Sequence, residues 1–203
     1  MRLLIFTIFA LFLTSNIYAQ DCDMPPLVSG DCDFYSQCIE EVKTCGLDGY
    51  AIGYGERYCE RFNSRDNFSP NGRRWRDATL VCLQEELVQT SVDLLSDNDI
   101  SCEGITDLAF DSHPYCYTQP GYSVCSLGIR DLLIIKRVID TKDFLSRRGL
   151  RQLASVANTC LFGIRMESFA KERSFRSLQA ESDIQQRIIF WQDLLNETHE
   201  IAM

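Results

Sequence analysis

Histidine is almost missing from this chain: His113 and His199 are the two present in 203 residues. They do not sit at finger spacing, and no cysteines stand as C-x-x-C, so the ligand patterns of a structural zinc are lacking. The stretch C-G-L-D-G-Y-A-I-G-Y-G from Cys45 is rich in glycine. It has no G-K-[ST] and no preceding strand pattern, so neither a P-loop nor a dinucleotide fingerprint is present. The paired cysteines followed by His-Asp that mark secreted phospholipases A2 occur nowhere. Positive charge is in deficit, with 20 Lys and Arg against 29 Asp and Glu and a formal net charge of −9. That balance argues against nucleic acid and anionic membranes as partners. Alternating strand patterns are scarce. The one long apolar run, Leu3 to Leu13, is shorter than the ~20 residues a membrane span requires, and no later segment is apolar enough.

What is there begins with that run. Arg2, an apolar core and Ile17-Tyr18-Ala19 form the pattern of a secretory signal peptide, with cleavage expected after Ala19. The predicted organisation is a signal peptide over 1–19, a helical disulfide-bonded domain over 20–165 and a C-terminal helical segment over 166–203. All ten cysteines lie in the mature part, an even number that in an oxidising compartment implies a disulfide framework of up to five bridges. The mature chain, about 180 residues, is one domain's worth.

Apolar periodicity predicts an all-α domain. Asp31 or Asp33 is placed to cap a helix carrying Phe34, Cys38, Val42 and Cys45, with Gly46 ending it. Tyr50, Tyr54, Tyr58 and Phe62 recur every four residues and so share one helical face. The glycines among them are expected to serve close packing. After a turn at Ser69-Pro70-Asn71-Gly72, a helix is predicted from about Arg73 to Gln89. Ser101 starts another, which His113-Pro114 is expected to end, because the residue before proline is pushed out of helical conformation. An apolar-periodic segment runs from Val124 to Ile139. Asp143 opens a helix through Cys160, and Ser182 to His199 places Ile184, Ile188, Trp191 and Leu195 at helical spacing.

Few residues offer chemistry. With every cysteine expected in a bridge, no thiolate nucleophile remains. His113 could act as a general base in a secreted hydrolase or toxin-like effector, although a lone histidine near a helix end is expected at the surface. The acidic run holding Asp97 and Asp99 supplies two oxygen ligands and no EF-hand loop, so helix caps and solvated acids account for it. The dibasic pairs Arg73-Arg74, Lys136-Arg137 and Arg147-Arg148 read as helix-face charges. Asn196-Glu197-Thr198 is a clean N-glycosylation sequon, and Asn67-Phe68-Ser69 is a weaker one because Pro70 follows.

The order of the cysteines and their companions resembles the stanniocalcins, secreted helical glycoprotein hormones. The resemblance spans Cys22 to Cys160. It rests on the tight set Cys32, Cys38 and Cys45, on C-G-L-D-G-Y, Y-C-E-R-F, F-S-P-N-G-R-R-W and L-V-C-L, and on C-Y-T-Q-P-G-Y-S-V-C-S between Cys116 and Cys125. It implies the pairing Cys22–Cys38, Cys32–Cys59, Cys45–Cys102, Cys82–Cys116 and Cys125–Cys160. Two family features are missing: an eleventh, dimer-forming cysteine after Cys160, and a sequon between the third and fourth cysteines, where I-E-E-V-K-T stands.

The resemblance further implies a non-enzymatic, hormone-like regulatory glycoprotein without a cofactor. Its roles would lie in calcium and phosphate balance, or in binding and inhibiting a secreted metalloproteinase of the pappalysin type. The expected partner is an extracellular protein, a receptor or such a proteinase. Ser182–His199 is expected either to pack back on the domain or to form a non-covalent homodimer.

Overall fold

A computed structural model describes residues 29–95, 100–171 and 178–202, with side chains placed for all of these except 89–95, 165–171, 178–181 and 202. Among the described residues the fold is all-α. Helix α1 comprises a π-helical turn, Tyr35–Ile39, continued by Glu40–Val42. Helix α2 likewise begins π-helical at Ala51–Glu56 and continues as Arg57–Asn63. Then follow α3 (Pro70–Leu95), α4 (Cys102–Tyr117), a 3-10 turn at Val124–Ser126, α5 (Ile129–Val138), α6 (Thr141–Phe144), α7 (Arg147–Lys171) and α8 (Leu178–Ala202).

Local chemistry explains where the helices begin. Ser69 caps α3: its Oγ accepts from Gly72 N at 3.1 Å, and Pro70 occupies the first helical position, where a missing N–H costs nothing. The helix therefore starts three residues before Arg73, and Asn71 and Gly72 belong to its first turn rather than to a preceding loop. Ser101 caps α4 in the same way, accepting from Gly104 N at 3.0 Å. Asp143 does not open the long seventh helix. It lies in the short α6, and Ser146 caps α7 by accepting from Gly149 N at 3.0 Å. The chain turns there because Gly149 packs against the carbonyl of Asp143, where a Cβ would overlap backbone. The first predicted helix is also shorter than expected: it stops at Val42, which is exposed, and Cys45 lies beyond it. Gly46, at φ 73°, then takes the left-handed conformation.

The proline expected to end α4 lies inside it. Pro114 has no N–H for the carbonyl four residues earlier, that of Phe110. The Gln152 side chain on α7 donates to that carbonyl at 2.7 Å, so the helix carries on to Tyr117 with the acceptor satisfied.

Beside two small apolar clusters around Phe68 and Leu83, two large ones form most of the core. One gathers Phe34, Tyr35, Ile39, Tyr50, Leu80, Leu87, Ile105 and Phe110 from α1 to α4 and the residue preceding α2. The other gathers Trp75, Leu132, Val156, Ile164, Ile184, Trp191 and Leu194 from α3, α5, α7 and α8. The C-terminal segment thus packs back on the domain. Lys136 of α5 adds an ion pair to Glu197 of α8 at 3.1 Å.

Disulfides join Cys32 to Cys59, Cys45 to Cys102, Cys82 to Cys116 and Cys125 to Cys160. The fifth expected pairing, Cys22–Cys38, lies outside the described residues because of Cys22, although Cys38 is itself disulfide-bonded. No free cysteine is found among the described residues. The bridges tie the segment before α1 to α2, the α1–α2 link to α4, α3 to α4, and the 3-10 turn to α7. In the chain-entropy picture, a loop of the 57 residues between Cys45 and Cys102 is worth about 4 kcal/mol against the unfolded state.

Candidate functional site

The stretch C-G-L-D-G-Y-A-I-G-Y-G-E-R-Y-C-E-R-F is scaffold, a turn over its first five residues and helical from Tyr50. Its π-helical turn brings Gly55 against the ring of buried Tyr35, where any Cβ would overlap the ring carbons. The tyrosines that follow one another at four-residue spacing divide between two tasks. Tyr50 and Tyr54 stack on each other with ring centroids 6.3 Å apart and meet Phe110 of α4 edge-on. Tyr58 faces a polar clamp instead.

That clamp fastens α2 to α6 and to the link that precedes it. The Tyr58 hydroxyl donates to Asp143 Oδ2 at 2.5 Å and accepts from Asp140 N at 3.1 Å. Arg57 pairs with Asp143 and, at 3.4 Å, with Asp140; Arg61 pairs with Asp140 at 2.7 Å. Both guanidinium groups lie over the Tyr58 ring, at 4.6 and 5.5 Å from its centroid. Burial and the hydrogen bond to Asp143 push the Tyr58 hydroxyl up to about 12. The hydrogen bond from Arg61 holds the Asp140 carboxyl below its ordinary value. Both carboxylates of the clamp are met by donors, while Arg57 Nε is buried without a partner.

His113 lies in the core, against the expectation of a surface position. Its helix does not end at Pro114, so the residue remains on the inner face of α4. The ring stacks on Phe110 at 5.1 Å, Nε2 is 3.0 Å from the Tyr50 hydroxyl, and Nδ1 is 3.1 Å from the Tyr117 hydroxyl. A neutral imidazole donates from one nitrogen and accepts at the other, and a hydroxyl can answer either. Burial lowers the pKa of His113 to about 4, against a smaller opposing effect of the Gln152 amide. At neutral pH the residue is an uncharged link between two tyrosines. Burial likewise raises Tyr50 and Tyr117 above the ordinary phenol value, so both stay protonated.

A cavity of about 150 Å³ lies between the two apolar clusters, lined by residues of both. Its walls include Tyr50, Trp75, Phe110, Leu132 and Trp191, and His113 and Gln152 also reach it. Two polar atoms of residues in its lining have no hydrogen-bond partner, Thr79 Oγ1 and Trp191 Nε1. No sequence pattern marks this cavity, because its residues come from eight helices. One part was readable in principle: a proline at helical spacing leaves the carbonyl four positions back in need of a donor, which points to Phe110 and hence to whatever packs on it.

The sequons lie in different settings. Asn196 is exposed on α8, while Thr198 is buried, its hydroxyl donating to Leu195 O at 2.6 Å. Asn67 is exposed in the turn before α3. Its Ser69 hydroxyl donates to Asp131 Oδ2 at 2.5 Å, and Ser69 N donates to Oδ1 at 2.9 Å, so the buried Asp131 secures the start of α3. Among the described residues no three of His, Cys, Asp and Glu converge on a metal position, and Asp97 and Asp99 lie outside those residues. No helix of the described residues is long and apolar enough to cross a membrane. Comparison of the chain with protein-family models, curated proteins and solved structures finds no match.

Proposed function

We propose that this chain is a secreted regulatory glycoprotein of stanniocalcin type, which acts by binding an extracellular protein rather than by catalysis. The observation that carries the reading is the cysteine framework. Four bridges cross-link the helices in the order that the resemblance implies, and such bridges require an oxidising compartment for their formation. A scaffold braced in this way presents a fixed surface, which suits recognition of a partner at low entropic cost. With Ile184, Trp191 and Leu194 buried in its own core, α8 has spent the face on which a non-covalent homodimer would depend. We therefore expect a monomer in light scattering.

The rival reading, a secreted hydrolase using His113, has the burial of that residue against it. Both ring nitrogens are engaged by tyrosine hydroxyls, and the ring stacks on Phe110. The deciding experiment uses the oxidised protein from a secreting eukaryotic host, carrying its glycans. It is mixed with a purified pappalysin-type metalloproteinase, and complex formation and substrate cleavage are followed. A stoichiometric complex with reduced cleavage supports the stanniocalcin-type reading. Absence of both, with binding intact for a known inhibitor, overturns the proteinase partner.

A further inference from the structure

We propose that Arg187 and the uncapped start of α5 bind a small tetrahedral oxyanion of the phosphate or sulfate class. This goes beyond the proposed function and does not depend on which protein the surface recognises.

Arg187 is the one buried cation among the described residues, 7% exposed. The partly buried guanidinium groups of Arg57, Arg61, Arg76 and Arg148 each pair with an aspartate or glutamate, whereas no carboxylate of the described residues pairs with Arg187. A guanidinium cannot shed its proton to escape the cost of burial, so a buried one calls for an anion. Nη2 donates to the Cys125 carbonyl, which answers one N–H and leaves the charge uncompensated. Nε is enclosed without a partner, out of a ligand's reach. Nη1 also has no partner but is not enclosed, and it is the donor that a ligand meets.

Two contacts fix where α5 starts relative to that group. Arg187 reaches Cys125 across 62 residues, and Lys136 reaches Glu197 across 61. With separations so nearly equal, α5 and the turn before it run beside α8 in the same direction and in step. Gly128, the cap position of α5, is then level with residues 189–190, less than one helical turn beyond Arg187. Long side chains on a helix lean toward its N-terminus, so the guanidinium lies ahead of α5, where the free N–H groups of a helix start point. No side chain caps α5, and among the described residues neither Ile129 N nor Arg130 N finds an acceptor. A Cβ on Gly128 would meet nothing within 4 Å, so there is room beside the cap. Asp131, in the first turn of α5, is taken up by Ser69, and Asp183, one turn before Arg187 on α8, does not pair with it. A helix start attracts anions through its N–H groups and dipole. Arg187 adds a full charge from the facing side, and a tetrahedral oxyanion has oxygens for both sets of donors at once. Because Arg187 is nearly buried, the site suits a free ion rather than a sulfate carried on a glycan chain.

The test uses the full oxidised chain labelled with nitrogen-15. Phosphate, sulfate, acetate and a heparin tetrasaccharide are titrated separately at constant ionic strength. Phosphate and sulfate are expected to move the Ile129 and Arg130 amide protons downfield in a saturable manner. Acetate should bind about tenfold more weakly, and the tetrasaccharide should leave those amides unmoved. Arg187→Gln keeps a donor for the Cys125 carbonyl and is expected to weaken phosphate about tenfold. Gly128→Asp supplies a capping carboxylate from the chain itself and should abolish the phosphate shift. If Arg187→Gln does not fold, Gly128→Asp and the wild-type shifts still decide. The proposal is overturned if neither oxyanion produces a saturable shift at Ile129 and Arg130, or if folded Arg187→Gln binds phosphate as the wild type does. A double-mutant cycle that shows Asp183 and Arg187 coupled as an ion pair in stability also overturns it. Displacement of phosphate from these amides by the tetrasaccharide overturns the free ion as the ligand.

Discussion

His113 makes the stability of this protein depend on pH in a way that a single substitution can isolate. In the unfolded chain the imidazole takes up a proton as the pH falls through about 6.5. In the folded protein, burial delays that event until about pH 4. Above 6.5 both states carry a neutral ring, and the residue contributes no pH dependence. Between 6.5 and 4 the unfolded state binds more protons than the folded one, so stability declines as the pH falls. Each unit of difference is worth about 1.4 kcal/mol, which sums to about 3 kcal/mol across the window. His113→Gln removes the titration while leaving an amide that can donate and accept between Tyr50 and Tyr117. Urea unfolding of both proteins, disulfides intact and followed by tryptophan fluorescence at intervals from pH 7.5 to 4, reads the effect directly. At pH 7.5 the wild type is expected to be the more stable. The difference should shrink or reverse by about 3 kcal/mol on reaching pH 4. Carboxylates titrate in both proteins and cancel in the comparison. Parallel pH profiles for the two proteins would refute the assignment of a buried neutral histidine.

Four further substitutions test the scaffold. Gly55→Ala drives a methyl group into the Tyr35 ring and is expected to cost about 1–3 kcal/mol in denaturant unfolding, the range for overpacking a close contact. Gln152→Leu strips the Phe110 carbonyl of its donor and should cost about 1–3 kcal/mol. Pro114→Ala restores a backbone donor to that carbonyl, so the double substitution should cost less than the sum of the two alone; strict additivity would sink the link between Gln152 and the proline. Asp131→Ala leaves Ser69 N without its carboxylate partner, and about 2 kcal/mol should be lost in thermal or denaturant unfolding, with hydrogen exchange rising first at the start of α3.

Much of the fold was legible because it is written in short-range chemistry. Apolar spacing shows Tyr50, Tyr54 and Tyr58 on a helix, and Ser101 announces α4 by capping it. The departures come from partners distant in sequence. Pro114 reads locally as an end, and only Gln152, on another helix, makes continuation possible. His113 reads as a surface residue for the same reason, since its place in the core depends on α4 running past it. Ser69-Pro70-Asn71-Gly72 has turn composition, yet serine at the cap and proline at the first position are equally the opening of a helix. The seventh helix begins at Arg147 because Gly149 must pass the Asp143 carbonyl, a contact no periodicity reveals. The cavity was the least legible feature, since residues of its lining such as Thr79 and Trp191 look like ordinary helix-face residues.

The four bridges also decide what happens to the chain when it is cut. The spans 32–59, 45–102 and 82–116 overlap in series, so a single break anywhere between Cys32 and Cys116 leaves both fragments covalently attached. The span 125–160 protects the region that follows in the same way. Between these two blocks lie residues 117–124, which no described bridge crosses, and there Pro120, Gly121 and Tyr122 are exposed. A protease can nick either block without releasing a fragment. A cut at that exposed joint parts it into two separately cross-linked pieces, held together by helix packing and by non-covalent contacts such as those of Arg57, Tyr58 and Arg61 with Asp140 and Asp143.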